Sequence, residues 1–202
     1  MNRRNFIKKS GIALGMGVLP SGLWVPKTYA QMIQTISGGG TTTGYLGYSS
    51  AGTASTIGAA DRQRMFKVTV PNAGTLKRIR EYMARIDDSV YDVKWGVWRD
   101  DGSGNRGTLI GTAECAESIA DNAFQWTSWY DLSAEAGQNL DVSESEVVWF
   151  GGIYQNPNTD YSYQTVTSGD AEYDDGSTFP TLTSSAGVDT TRAQTIQVEY
   201  EY

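Results

Sequence analysis

A chain of 202 residues suits one domain with an appendage, and it is long enough to bury a core of ordinary size. It has no histidine and a single cysteine, Cys115, which removes Ser-His-Asp and Cys-His catalytic sets, the usual zinc ligand sets and any internal disulfide. Six tryptophans, 12 tyrosines and 23 glycines lean towards an all-β protein, because aromatics fit pleated surfaces and glycines supply turns.

The first thirty residues have the three parts of a signal peptide: a basic patch (Arg3, Arg4, Lys8, Lys9), an apolar run over 11–25, and the close Thr28-Tyr29-Ala30. The stretch NRRNFIKK resembles the twin-arginine export signal, with Arg3-Arg4, then Phe6, Ile7 and Lys8. Gly11, Gly15, Gly17 and Gly22 dilute the apolar run, and Pro20 and Pro26 oppose a long spanning helix, so no stable membrane insertion is expected once the signal is cleaved. Cleavage after Ala30 is the expectation, and with it export to the periplasm, the exterior or the cell surface. Five of the 16 basic residues and none of the 23 acidic ones fall in 1–30, leaving 11 against 23, a net charge of −12. So acidic a domain disfavours nucleic acid and anionic membranes as partners, and it suits solubility in a salty exterior.

Residues 31–62 are low in charge and rich in Gly, Ser and Thr, and Gly38-Gly39-Gly40 reads as a flexible joint. The alternation in 31–36 reads as an edge strand or as an arm that adds to a neighbouring subunit's sheet. From residue 63 the period is two. RMFKVTV predicts a strand, followed by the turn cluster Pro71-Asn72-Ala73-Gly74. TLKRIREYMARI fits both a 3.6 and a 2.0 period, and its strand-rich context favours a strand. YDVKWGVW puts Val93, Trp95 and Val97 on one face, and TLIGTAEC, FQWTSWYDL, EVVWFGGIY and TIQVEYEY follow as strands. Cys115 reads as a buried small hydrophobe. SAEAGQNLDVSES and SGDAEYDDGSTFPTLTSSAGVDTTRA lack strong periodicity, and the second is expected as an extended surface loop. Short strands at these intervals predict a two-sheet sandwich over 63–202.

The aromatics divide by position. Trp95, Phe124, Trp126 and Trp149 have apolar neighbours on strand faces and are expected in the core. Trp98, Trp129 and Tyr154 lie near strand ends, where they are expected to stand clear of the sandwich as a platform for sugar rings. The run Asp100-Asp101-Gly102-Ser103-Gly104-Asn105 reads first as a turn, since Asp and Asn bond their own backbone and Gly takes positive φ. A calcium site on Asp100, Asp101 and Asn105 is the alternative, although the EF-hand spacing is absent. The pairs Asp87-Asp88, Asp100-Asp101 and Asp174-Asp175 are the carboxylates a glycosidase reading would need, but adjacent acids at strand ends point apart, and no catalytic set is expected.

The order of features over 63–202 resembles secreted jelly-roll domains of the choice-of-anchor kind, also found in phage-related proteins. Their pattern of Ile-Tyr, an acidic pair, a Gly-rich turn, Pro-Gly and Leu-Leu is matched here by Val97-Trp98, Asp100-Asp101, Gly102-Ser103-Gly104, Arg106-Gly107 and Leu109-Ile110. PNAGTLKRI, VVWFGGIY and TIQVEYEY are similar to further strands of that family. The resemblance implies a jelly-roll β-sandwich with adhesive or carbohydrate-facing roles and no catalytic residues. The expected function is therefore an exported, non-enzymatic module that binds a glycan or surface polymer through Trp98, Trp129 and Tyr154, with calcium at most assisting at the rim. The rival readings are a subunit of an extracellular filament or surface layer that assembles with identical copies through its arm, and a phage virion or tail component.

Overall fold

A computed structural model of the chain describes residues 41–202, apart from 53, 58–59, 86–90, 118–122, 156–158 and 185–186. The signal-type segment with Arg3, Arg4, Phe6 and Ala30, the alternation at 31–36, the Gly38-Gly39-Gly40 joint and the pair Asp87-Asp88 lie outside the described residues. The strands in chain order are β1 (Thr43–Gly47), β2 (Ala54–Ile57), β3 (Gln63–Thr69), β4 (Gly74–Arg85), β5 (Tyr91–Asp100), β6 (Arg106–Glu117), β7 (Gln125–Trp126) and β8 (Tyr130–Asp131). They continue with β9 (Ser133–Ala134), β10 (Asp141–Val142), β11 (Val147–Tyr154), β12 (Thr159–Thr165), β13 (Ala171–Asp174), β14 (Val188–Thr190), β15 (Arg192–Gln194) and β16 (Ile196–Glu201).

Among the described residues these strands form two antiparallel sheets. The nine-stranded sheet has the order β1-β16-β4-β12-β15, with β2 on β12 and with β7, β8 and β10 on β4. The seven-stranded sheet has the order β14-β13-β3-β11-β5-β6-β9. The chain passes repeatedly from one sheet to the other, so the all-β class and the jelly-roll-like sandwich are as expected. The segment with two competing periods is the strand β4. Because β7, β8, β10, β12 and β16 all pair with it, an extended chain satisfies its backbone groups through neighbours.

Alternation then fixes what each face carries. On β4, Ile79, Glu81 and Met83 are buried between the sheets, while Arg78, Arg80 and Tyr82 point outward and are half-buried. Val93, Trp95 and Val97 of β5 face them with Phe66, Val148 and Phe150, and Val198 lies beside Ile79 on β16, all wholly or almost wholly buried. Each such aliphatic or phenyl side chain contributes about 1.5–3 kcal/mol on leaving water. Cys115 belongs to the same core at 1% exposure.

Three expectations are corrected. The sandwich begins well before residue 63: β1 pairs with β16, β2 pairs with β12, and Leu46 is wholly buried. Glycine and serine made that segment look loose, but alternation in a short strand needs only one apolar residue facing the core. FQWTSWYDL is not one strand, since β7 and β8 are two residues each and are separated by 127–129. There, Thr127 is buried and turns onto β4, its N–H donating to the Glu81 carbonyl at 2.9 Å and its Oγ1 accepting from the Glu81 N–H at 3.2 Å. Nor is the long acidic segment an open loop, because it contains β13, β14 and β15.

The part of that segment between β13 and residue 184 covers the outer face of the seven-stranded sheet. The Thr183 N–H donates to Gln63 Oε1 at 2.9 Å, and Gln63 Nε2 donates to the Thr183 carbonyl at 3.2 Å. The Phe179 N–H donates to Asp61 Oδ1 at 2.7 Å. Leu182 packs onto a second small core of Met65, Trp98 and Trp149. Gly96 leaves room for this cover, since a Cβ there would sit 2.5 Å from the Trp98 ring and 2.8 Å from Leu182.

Candidate functional site

The outer face of the nine-stranded sheet carries a different arrangement. Arg78, Arg80 and Tyr82 project from alternate positions of β4, about 7 Å apart along the strand. Arg80 lies between two indoles, its guanidinium carbon 4.5 Å from the Trp126 ring centroid and 4.3 Å from that of Trp129. Trp129 is stacked on Tyr45 of β1 at 5.9 Å, and Arg78 lies 5.4 Å from its centroid. Beyond Trp126 the row continues through Tyr82, at 5.4 Å, to Phe124, stacked on Tyr82 at 5.7 Å. The result is one continuous, partly exposed row of Tyr45, Trp129, Arg80, Trp126, Tyr82 and Phe124, drawn from β1, β4, β7 and the segments on either side of β7.

Each guanidinium–ring contact is worth about 0.5–2 kcal/mol, depending on how much water it excludes, so the row is held rigid without being buried. The cross-strand partners on β16 anchor it. Arg78 pairs with Glu199 through two hydrogen bonds, Nε to Oε1 at 2.9 Å and Nη2 to Oε2 at 2.7 Å, and this carboxylate raises the Arg78 pKa. Arg80 makes the same reach to Gln197, whose Oε1 accepts from Nε at 3.0 Å and Nη2 at 2.7 Å. At the Phe124 end the row opens into a hollow of about 260 Å3 lined by Gly52, Ala54, Ser55, Tyr82, Phe124 and Ser162. That is below the roughly 300–1,000 Å3 of enclosed small-molecule sites, a size for the end of an extended ligand rather than a whole one.

Of the three platform residues expected from the sequence, one belongs to this row. Trp129 is half-buried within it. Trp98 is wholly buried beneath Leu182, with the Arg106 guanidinium 5.3 Å from its ring. Tyr154 is wholly buried too, facing inward on β11 where its hydroxyl finds a carboxylate. Neither offers a face to a ligand in this structure. The exchange runs the other way for Phe124 and Trp126, expected in the core and found on the outer row, whereas Trp95 and Trp149 are buried as expected.

Tyr154 belongs to a polar seam that crosses the interior. Glu81 of β4 accepts from Trp95 Nε1 at 2.8 Å, from the Tyr154 hydroxyl and from Gln194 Nε2 at 3.3 Å. Burial pushes the Glu81 pKa up to about 7 against the pull of those donors, and burial likewise raises that of Tyr154. The seam ties the two sheets together and has no opening to solvent at Glu81, Tyr154 or Gln194.

The acidic loop after β5 folds onto itself. Asp100 Oδ1 accepts from the Gly102 N–H at 2.8 Å and the Gly104 N–H at 3.2 Å, and Asp101 Oδ1 from the Ser103 N–H at 2.7 Å and the Asn105 N–H at 3.2 Å. Gly102 and Gly104 supply the positive φ, +85° and +88°, that closes the turn. Asp100 Oδ2 also accepts from Trp149 Nε1 at 3.2 Å, and Asn105 Nδ2 approaches Asp101 Oδ2 at 3.4 Å. The backbone donors of Ser103 and Asn105 lower the Asp101 pKa. Asp100 and Asp101 thus turn onto the loop's own N–H groups and Asn105 donates to Asp101, and no group of three or more acidic or cysteine side chains placed to hold a metal occurs among the described residues. The pair Asp174-Asp175 is also engaged, Asp174 Oδ2 with the Thr183 hydroxyl at 2.6 Å and Asp175 with Arg62.

Sequence reasoning missed Arg80, Tyr82, Trp126, Phe124 and Tyr45. The available signal was the outward register of Arg78, Arg80 and Tyr82, which follows once Ile79 and Met83 are assigned to the core. No protein-family model matches the chain, and no curated protein matches it.

Proposed function

We propose that this protein is an exported, non-catalytic β-sandwich module that binds a glycan or a surface polymer through the outer face of its nine-stranded sheet. The observation that carries the reading is the aromatic–arginine row. Tyrosine, tryptophan and phenylalanine rings spaced along one sheet face suit the apolar C–H faces of successive sugars, and the guanidinium contacts between them hold the rings in place. The hollow at Phe124 adds the Ser55 hydroxyl and an aromatic wall for a terminal ring. The signal-type N-terminus supports export, and the acidic domain supports a partner other than nucleic acid.

A glycan array probed with the full chain and with Trp126→Ala tests this. Binding to a subset of glycans that the variant loses is the expected result. An array on which the two proteins behave alike, or on which nothing binds, overturns the reading.

A further inference from the structure

The row contains two cross-strand pairs of the same geometry that differ in charge. Arg78 meets Glu199 and is neutralised. Arg80 meets Gln197, and among the described residues no carboxylate lies within ion-pairing distance of it. The amide accepts the same two hydrogen bonds that a carboxylate would, but it leaves a full positive charge between the faces of Trp126 and Trp129. A glutamate at 197 would have satisfied the strand pairing equally well, as Glu199 does one pair along. The nearby Lys77 is answered by Glu201 at 3.2 Å, and Asp131 of β8 lies opposite Arg78 with Glu199 on its other side, so both carboxylates of the row gather at Arg78 and Arg80 is the guanidinium left without an ion pair among the described residues.

From this unneutralised guanidinium set among ring faces we infer that the ligand is an acidic glycan, one bearing uronic-acid carboxylates, with the carboxylate meeting Arg80 while the sugar faces stack on Trp126 and Trp129. This deepens the glycan-binding reading and rests on it. The excess of acid elsewhere in the chain opposes a long polyanion, whose binding needs many charges neutralised at once, but not a single ligand carboxylate at Arg80: at physiological salt, exposed charges more than about 8 Å away are largely screened, whereas a contact carboxylate is not. Burial of Arg80 between the rings lowers its pKa, which is the cost a ligand carboxylate would relieve. Guanidinium suits this role because its planar fork stacks on indole and presents N–H groups along its edge at the same time.

The test is calorimetric titration of the full chain with a panel of short uronic-acid oligosaccharides and with the same oligosaccharides as methyl esters, which keep the rings and lose the charge. The acids are expected to bind about tenfold or more tightly than the esters, a preference that weakens as salt is raised. Gln197→Glu, which neutralises Arg80 in place, should bring the two affinities together, and its melting midpoint reports whether it is folded. Equal binding of acid and ester, lost in Trp126→Ala, would overturn the acidic ligand and leave the glycan reading standing. An acid preference that survives in folded Gln197→Glu would remove Arg80 from the role. Failure of every acid and ester to bind would overturn the acidic ligand, and the glycan array then decides whether the broader reading stands.

Discussion

The two outer faces of the sandwich begin from the same pattern and end differently. Both carry tryptophan at outward positions: Trp98 and Trp149 on the seven-stranded sheet, Trp126 and Trp129 beside β4 on the nine-stranded one. On the first face Asp174, at the end of β13, lies 3.5 Å from the buried Arg106, and the chain then returns to lay Leu182 over the indoles. On the second, arginines take the place of the cover and leave the rings partly open to water. An outward-facing tryptophan is therefore a core residue or a surface residue according to what a distant segment does, and the strand carrying it does not decide.

The largest effect that would test this contrast is on the covered face. Trp98→Ala removes a wholly buried indole from between Arg106 and Leu182, and it should destabilise the protein by about 3–5 kcal/mol. Urea denaturation would show this as a lower midpoint at unchanged slope. A loss no larger than that of an exposed residue would mean that the cover does not hold in solution, and the two faces would then be alike.

Next in size is the seam between the faces, where Glu81 makes stability depend on pH. Its folded pKa of about 7 stands above the ordinary value of 4.5, so between those two pH values the folded state keeps a proton that the unfolded chain has released. Stability should fall as pH rises through that window and level off above it, by at most about 3 kcal/mol in total. Glu81→Gln should flatten the profile. A wild-type stability that stays level across the window would show the carboxyl to be ionised in the fold, its charge carried by the Trp95, Tyr154 and Gln194 donors.

How much of this was legible in the sequence follows from the range of the interactions involved. Period-two alternation depends only on neighbours along a strand, so β3, β5, β11 and β16 and the inward set Val93, Trp95 and Val97 could be read directly. The Asp100–Asp101 turn was legible for the same reason, as its hydrogen bonds close within four residues. Trp126 was misplaced because its apolar neighbours read as the inner face of one continuous strand, with Trp129 at that strand's end. The strand is broken at Thr127, and both rings emerge on one side. Burial of Trp98 depended on Leu182, 84 positions later, and that of Tyr154 on Glu81, 73 positions earlier. Pairings at such range leave no periodic trace in a single chain.

The open face gives a smaller stability effect and a larger functional one. Trp126→Ala removes a half-buried ring from a row it shares with Arg80 and Tyr82, and it should cost about 1 kcal/mol of stability. The same change should abolish glycan binding, so that stability and binding respond in opposite order on the two faces. If Trp98→Ala and Trp126→Ala cost the same in urea, the row is part of the core, and its partial exposure has no functional meaning.

The smallest effect belongs to the loop after β5. In Asp101→Asn, Oδ1 can still accept from the Ser103 and Asn105 N–H groups, so the urea midpoint should stay where that of a neutral surface substitution falls. Because the carboxylate oxygens already face those donors, calcium at about 1 mM, near the upper range for extracellular modules, should leave the melting midpoint of the wild-type protein in place. The lowered pKa of Asp101 adds a second reading of the same geometry: backbone donors favour its charged form, so the loop should loosen on acidification below the ordinary aspartate range, with no divalent cation involved. A calcium-dependent rise in the midpoint that Asp101→Asn removes would reverse this, since it would require Asp100 and Asp101 to turn outward from the N–H groups they now satisfy and Asn105 to release Asp101. The exposed end of the seven-stranded sheet would then carry a ligand site of its own, and the division between a covered face and a binding face would no longer hold.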